Sequence, residues 1–99
     1  MANANKKVIT TKALKALLES QGYRCAYTGA DLDPKTASLD HQTPLSRGGD
    51  HAIENMAIVT SKINTAKGTM TLDEFIDLCR AVVSYADKGN QSGSDVKNS

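Results

Sequence analysis

Tryptophan is missing from this 99-residue sequence, and phenylalanine occurs once. Proline and cysteine occur twice each. A chain this short with so few large aromatics buries a modest core, so caps and tight turns must carry part of its stability. There is no apolar run long enough to span a bilayer, and Met1 to Lys7 is polar and small, unlike a signal peptide. Those absences point to a soluble intracellular protein of one domain. Cys25 and Cys79 cannot make a structural zinc site alone, because such a site takes four ligands. So far apart in an intracellular chain, they are expected as buried thiols rather than as a disulfide. An excess of one charge is lacking too. Twelve Lys and Arg against eleven Asp and Glu leave +1, which does not announce a nucleic-acid binder.

The distribution of charge says more than its sum. Lys6, Lys7, Lys12, Lys15 and Arg24 load the first quarter, while Asp73, Glu74 and Asp77 make a late stretch acidic. A dipolar surface of this sort can hold a phosphate backbone on its basic side.

Hydrophobic periodicity sets out the elements. Thr11 to Gln21 reads as a helix: Leu14, Leu17 and Leu18 recur at helical spacing, Thr10 or Thr11 caps it and Gly22 stops it. Tyr23 to Asp33 reads as a loop or irregular hairpin, from its Thr28-Gly29 and Asp33-Pro34 turn signals. Ala37 to Gln42 reads as a short strand ended by Pro44, and Met56 to Thr60 as a second, β-branched one. A brief helix from Ser61 to Lys67 is stopped by Gly68. Thr71-Leu72-Asp73-Glu74 is a capping box. It opens a helix whose stripe of Leu72, Phe75, Ile76, Cys79, Val82 and Val83 is expected to pack on the Leu14/Leu17/Leu18 face. The folded domain is expected over 8–87, with disordered ends at 1–7 and 88–99, where Asn, Ser and Gly are frequent and periodicity is absent.

The stretch from Ser38 to Gly68 carries the chemistry. It holds an Asp-His pair at a strand end, a Gly-Gly turn, Asn55 before the second strand and Asn64 on the short helix. Phosphodiester hydrolysis needs a base for water, neutralisation of the phosphoryl oxygens and a stabilised leaving group. His41 suits the first, since imidazole titrates at about 6.5 unless perturbed. Asp40 and Asn64 offer the hard oxygen ligands that Mg²⁺ accepts, with water and substrate phosphate completing its shell. Lys67, three residues after Asn64, shares its helix face and is placed to touch a phosphate. Adjacent strand residues point to opposite faces, so Asp40 and His41 can share a site only if the strand ends or bends there. Thr43-Pro44 supplies such a break.

This order of residues resembles the HNH endonuclease family with its ββα-metal motif: Asp40-His41, Pro44, Arg47-Gly48-Gly49, His51, Glu54-Asn55, Asn64 and Lys67-Gly68. The resemblance implies an α+β fold. Its core would be a two-stranded antiparallel hairpin plus a short helix, flanked by an N-terminal helix and a longer C-terminal one. It also implies a DNA endonuclease with His41 as general base and one divalent cation held by Asp40 and Asn64. Asn55 would tie the loop between the strands and orient the site. Many members add two Cys-x-x-Cys pairs for a structural zinc. Here only Cys25 stands in such a place, so no structural zinc is expected. With Asn64 in place of histidine, oxygen ligands favour Mg²⁺ or Mn²⁺ over nickel or zinc. Arg47, Lys62 and Lys67 would contact backbone phosphates, which carry little sequence information. His51 is expected to serve a turn or to pack the loop rather than to act in catalysis.

Small HNH proteins of this kind are common in bacteriophages and bacteria. That likeness implies a cytoplasmic setting in a bacterial or phage-infected cell and DNA as partner. It also suggests a protein partner such as phage packaging machinery, no membrane, and a monomer or weak dimer. A catalytically silent module that holds DNA or protein on the same fold is the competing reading.

Overall fold

The computed structural model describes residues 8–91. Five regular elements follow in order: helix α1 (Thr11–Ser20), strand β1 (Ala37–His41), strand β2 (Met56–Thr60), helix α2 (Ser61–Lys67) and helix α3 (Leu72–Gln91). Short 3-10 turns lie at Leu45–Arg47 and Ile53–Asn55. The fold is α+β, with a small ββα core between two flanking helices.

β1 and β2 form a two-stranded antiparallel sheet in which Asp40 faces Ala57 and His41 faces Met56. Alternation then divides the hairpin into two faces. Ser38, Asp40, Ala57 and Val59 share one, and α2 lies across it, bonding to Ser38 and Asp40. Val59 and Ala57 are buried there with Cys25, and Tyr27, Leu32 and Ile63 pack against them. On the other face, Leu39 and Ile58 border an apolar groove with Leu14 and Leu18 of α1. Gln21, just past α1, fixes that helix to the sheet. Its amide oxygen accepts from the Ile58 N–H (3.0 Å) and its amide nitrogen donates to the Ile58 carbonyl (2.8 Å).

Local chemistry explains the boundaries. The Thr10 hydroxyl accepts from the Ala13 N–H and caps α1, and Thr60 does the same for α2 through Ile63. Residues 23–33 form the irregular hairpin expected, with an antiparallel bridge between Arg24 and Asp31. Gly68, at φ +57°, ends α2. The capping box holds: the Glu74 N–H donates to the Thr71 hydroxyl (3.2 Å), and the Thr71 N–H to the Glu74 carboxylate (3.0 Å).

Three expectations change. Leu72, Phe75, Ile76, Cys79 and Val83 of the α3 stripe border a groove with Ala26, Tyr27 and Ile63 instead of packing on the leucines of α1, whose main contacts are with β2 and the Ile53–Asn55 turn. The start of α3 is tied down by the Leu72 N–H donating to the Gln42 carbonyl (2.9 Å) and by burial of Phe75. Leu78, Val82, Val83 and Tyr85 are exposed. Cys79 is therefore exposed as well, whereas Cys25 is buried and both thiols are free. Helix α3 also runs to Gln91, past the boundary expected at residue 87, with Lys88 in its last turn, where a cation suits the helix dipole. The remaining expectations for the ends, at 1–7 and 92–99, lie outside the described residues. Among the described residues no helix is long and apolar enough to cross a membrane.

Candidate active site

The end of β1 sets the geometry. Regular pairing stops at His41, and residues 42–44 turn away into the Leu45–Arg47 3-10 turn. Because the strand ends there, Asp40 and His41 both border one cleft despite their alternate facing. That cleft, about 290 Å³, is lined by Leu39, Asp40, His41, Pro44, Leu45, Asn64 and Gly68. Three residues singled out from sequence thus come together, from two elements 24 positions apart.

Asp40 is 5% exposed, and its carboxylate sits between two donors. The Tyr27 hydroxyl donates to Oδ2 at 2.6 Å, and Lys67 Nζ lies 3.1 Å from Oδ2 and 3.3 Å from Oδ1. Lys67 also donates to the His41 carbonyl at 2.9 Å. Burial raises the Tyr27 phenol far above its ordinary range, and the bond to Asp40 adds to it, so Tyr27 stays a donor. Oδ1 is the less committed oxygen, since its single contact among the described residues is the long one to Lys67.

Asn64 reaches across from α2. Its amide nitrogen donates to Ser38 Oγ (2.6 Å) and to the Leu39 carbonyl (3.5 Å). A carbonyl can only accept, so these bonds fix the amide orientation and leave Asn64 Oδ1 without a partner among the described residues. Two oxygen ligands, one carboxylate and one amide, therefore border the cleft with acceptor capacity left. No three His, Cys, Asp or Glu side chains gather as a metal cluster among the described residues. The donor set fits a hard cation that keeps several waters, and does not fit a closed tetrahedral site.

Asn55 stands behind the cleft. It accepts from the Thr43 N–H (3.0 Å), returns a bond to the Thr43 carbonyl (2.9 Å) and donates to the Asp50 carbonyl (2.8 Å). This staple closes the loop between the strands. The glycines permit it. Gly48 sits at φ +90°, and a Cβ on Gly49 would strike the Thr43 carbonyl.

Two of the three basic residues are committed within the protein, and the third is exposed. Lys67 is 1% exposed and spent on Asp40 and His41, so it neutralises the site from within instead of meeting a phosphate. Helical spacing already held that signal: if Asn64 faces the hairpin, so must the residue three positions on. Arg47 is committed to Glu74 by two bonds of 2.9 and 2.7 Å and donates to the Thr69 carbonyl at 3.3 Å. That pairing pulls the Glu74 carboxyl down to about 2, helped by the Thr71 N–H. Lys62 is exposed on α2 and makes no ion pair among the described residues. Two participants were not singled out for these parts. Tyr27 gave no sequence signal beyond its type. His51, expected to serve a turn or to pack the loop, has its Nδ1 3.0 Å from His41 Nε2, with the rings tilted by 36°. His41 Nδ1 has no partner among the described residues.

Residues 25–71 match the family described as HNH endonuclease. HNH nucleases generally act on DNA with a divalent metal ion. No curated protein matches the chain at a significant level.

Proposed function

We propose that this protein is a divalent-metal-dependent DNA endonuclease, with His41 as general base and Asp40 and Asn64 holding the cation. The observation that carries the reading is the convergence of those three side chains on one cleft at the end of β1. Asp40 Oδ1 and Asn64 Oδ1 are the oxygens with capacity for a cation. When bound, Mg²⁺ or Mn²⁺ supplies charge neutralisation at the phosphoryl oxygens and at the leaving oxygen. His41 takes the proton of the attacking water at Nδ1, the ring nitrogen that the protein leaves open. Lys67 and Tyr27 hold the Asp40 carboxylate in place, and Lys67 fixes the His41 carbonyl, so both residues keep their position as charge develops. Asn55 orients the loop and touches no reacting atom. Lys62, with Lys12 and Lys15 on α1, is exposed for phosphate contacts that carry little sequence information.

One observation favours the silent binding module. Lys67 already lies against both Asp40 oxygens, which lowers the need for a cation there. Supercoiled plasmid separates the readings. The nuclease converts it to open-circular or linear DNA with Mg²⁺ or Mn²⁺, and loses that with EDTA or in His41→Ala. A silent module retards the plasmid on a gel and leaves it intact with every metal. Equal cutting by wild type and His41→Ala would remove the base assignment.

A further inference from the structure

We infer that His51 is the positioning residue of His41: it accepts the His41 Nε2–H at its own Nδ1 and so holds the His41 ring with Nδ1 unprotonated and open to water. The inference rests on His41 being the base.

His41 Nε2 and His51 Nδ1 are 3.0 Å apart, and only one of them carries the shared hydrogen. If His51 donates, neutral His41 must hold its own proton on Nδ1, and the nitrogen without a partner cannot accept another. If His41 donates, its Nδ1 keeps a lone pair. Only the second arrangement makes a base, and an acceptor at the His51 Nδ1 position selects it. The proton arriving at His41 Nδ1 turns the ring into an imidazolium. Its Nε2–H then donates a charge-assisted bond to His51, so the contact strengthens as the water is deprotonated. No proton need leave His41 toward His51 for this to work.

The loop is built to keep the contact. Asn55 bonds to the backbone of Thr43, two residues after His41, and to the carbonyl of Asp50, one residue before His51. A single side chain thus fixes both approaches to the ring pair. Gly49, which lets the loop press on the Thr43 carbonyl, removes the slack that a side chain would introduce. His51 itself is exposed, so burial within the loop does not account for its placement.

The test compares wild type, His51→Ala, His51→Asn and His41→Ala in Mg²⁺-dependent plasmid cleavage. The ring nitrogens of His41 are read separately by ¹⁵N NMR on metal-free protein with both imidazoles neutral. Asn offers an amide oxygen close to where His51 Nδ1 stands. His51→Ala is expected to lose roughly 10- to 100-fold in kcat, the usual cost of removing a partner that orients a functional histidine, with KM little changed. His51→Asn should recover most of that loss. His41 should be predominantly the Nε2–H tautomer in wild type and in His51→Asn, and mixed in His51→Ala. Wild-type kcat in His51→Ala, an unchanged His41 tautomer in that variant, or no rescue by Asn overturns the inference while leaving the base in place. Full activity in His41→Ala is a different result and overturns the reading beneath it.

Discussion

Around Asp40, side chains reach 26 or 27 positions along the chain for their partners: Asn64 bonds to Ser38, and Lys67 to Asp40. Beyond its first turns α3 does the opposite, and every residue from Asp77 to Lys88 is exposed. The hairpin end is small and poor in large apolar residues, so buried polar bonds specify it. Helix α3 has the better apolar stripe and uses less of it. An amphipathic pattern records that a helix has a face to cover, and it does not record whether this chain covers it. Polar networks carry the reverse property. They give almost no periodic signal, yet once assembled they tolerate little change, because a buried group left alone keeps its full desolvation cost.

The largest break in this comparison should come from Lys67→Ala. It strands a buried carboxylate and is expected to cost roughly 3–5 kcal/mol, read as a lower urea midpoint. A midpoint within error of wild type would mean that the Asp40–Lys67 pair is replaceable by water. Asn55→Ala should follow at about 1–3 kcal/mol, since it leaves the Thr43 N–H and two carbonyls of the loop short of a partner. Heteronuclear relaxation of residues 43–55 should show the loop loosening, and an unaltered loop would contradict the staple.

The tether of α3 to the body gives a smaller, pH-dependent effect. Pairing with Arg47 lowers the Glu74 carboxyl in the folded state to about 2, below the ordinary value of 4.5. Its contribution is therefore fully present above about pH 4.5 and is lost as pH falls toward 2. Arg47→Ala should weaken the protein at neutral pH and flatten its loss of stability in that acid window. A parallel acid profile in the variant would mean that the pair does not act. The smallest effect is expected from Val82→Ser on the exposed part of α3, within about 0.5 kcal/mol by the same urea measurement. A much larger loss would mean that the stripe is covered in solution after all.

Much of this is legible in the sequence, for reasons that are local. Thr10, Thr60, Gly68 and the Thr71/Glu74 box act within four residues, so α1, α2 and α3 begin or end close to where sequence puts them. Thr43-Pro44 likewise marks the strand end at which Asp40 and His41 border one cleft. The fate of the long basic side chains was not legible. Arg47 found Glu74 across 27 positions, and Lys67 turned inward to Asp40, because tertiary placement and not residue type decides which charges stay in water. Tyr27 and His51 were missed for the same reason. Each becomes meaningful only when an irregular loop folds back on β1.

The most direct test of the account is where a cation sits. Mn²⁺ titrated into ¹⁵N-labelled protein should broaden the amide signals of residues 39–42 and 63–65 first, while those of residues 77–88 stay sharp, and Asn64→Ala should abolish the selective broadening. Broadening centred on the acidic start of α3, around Asp73 and Asp77, or spread evenly over the molecule, would contradict a metal site built by Asp40 and Asn64 at the end of β1.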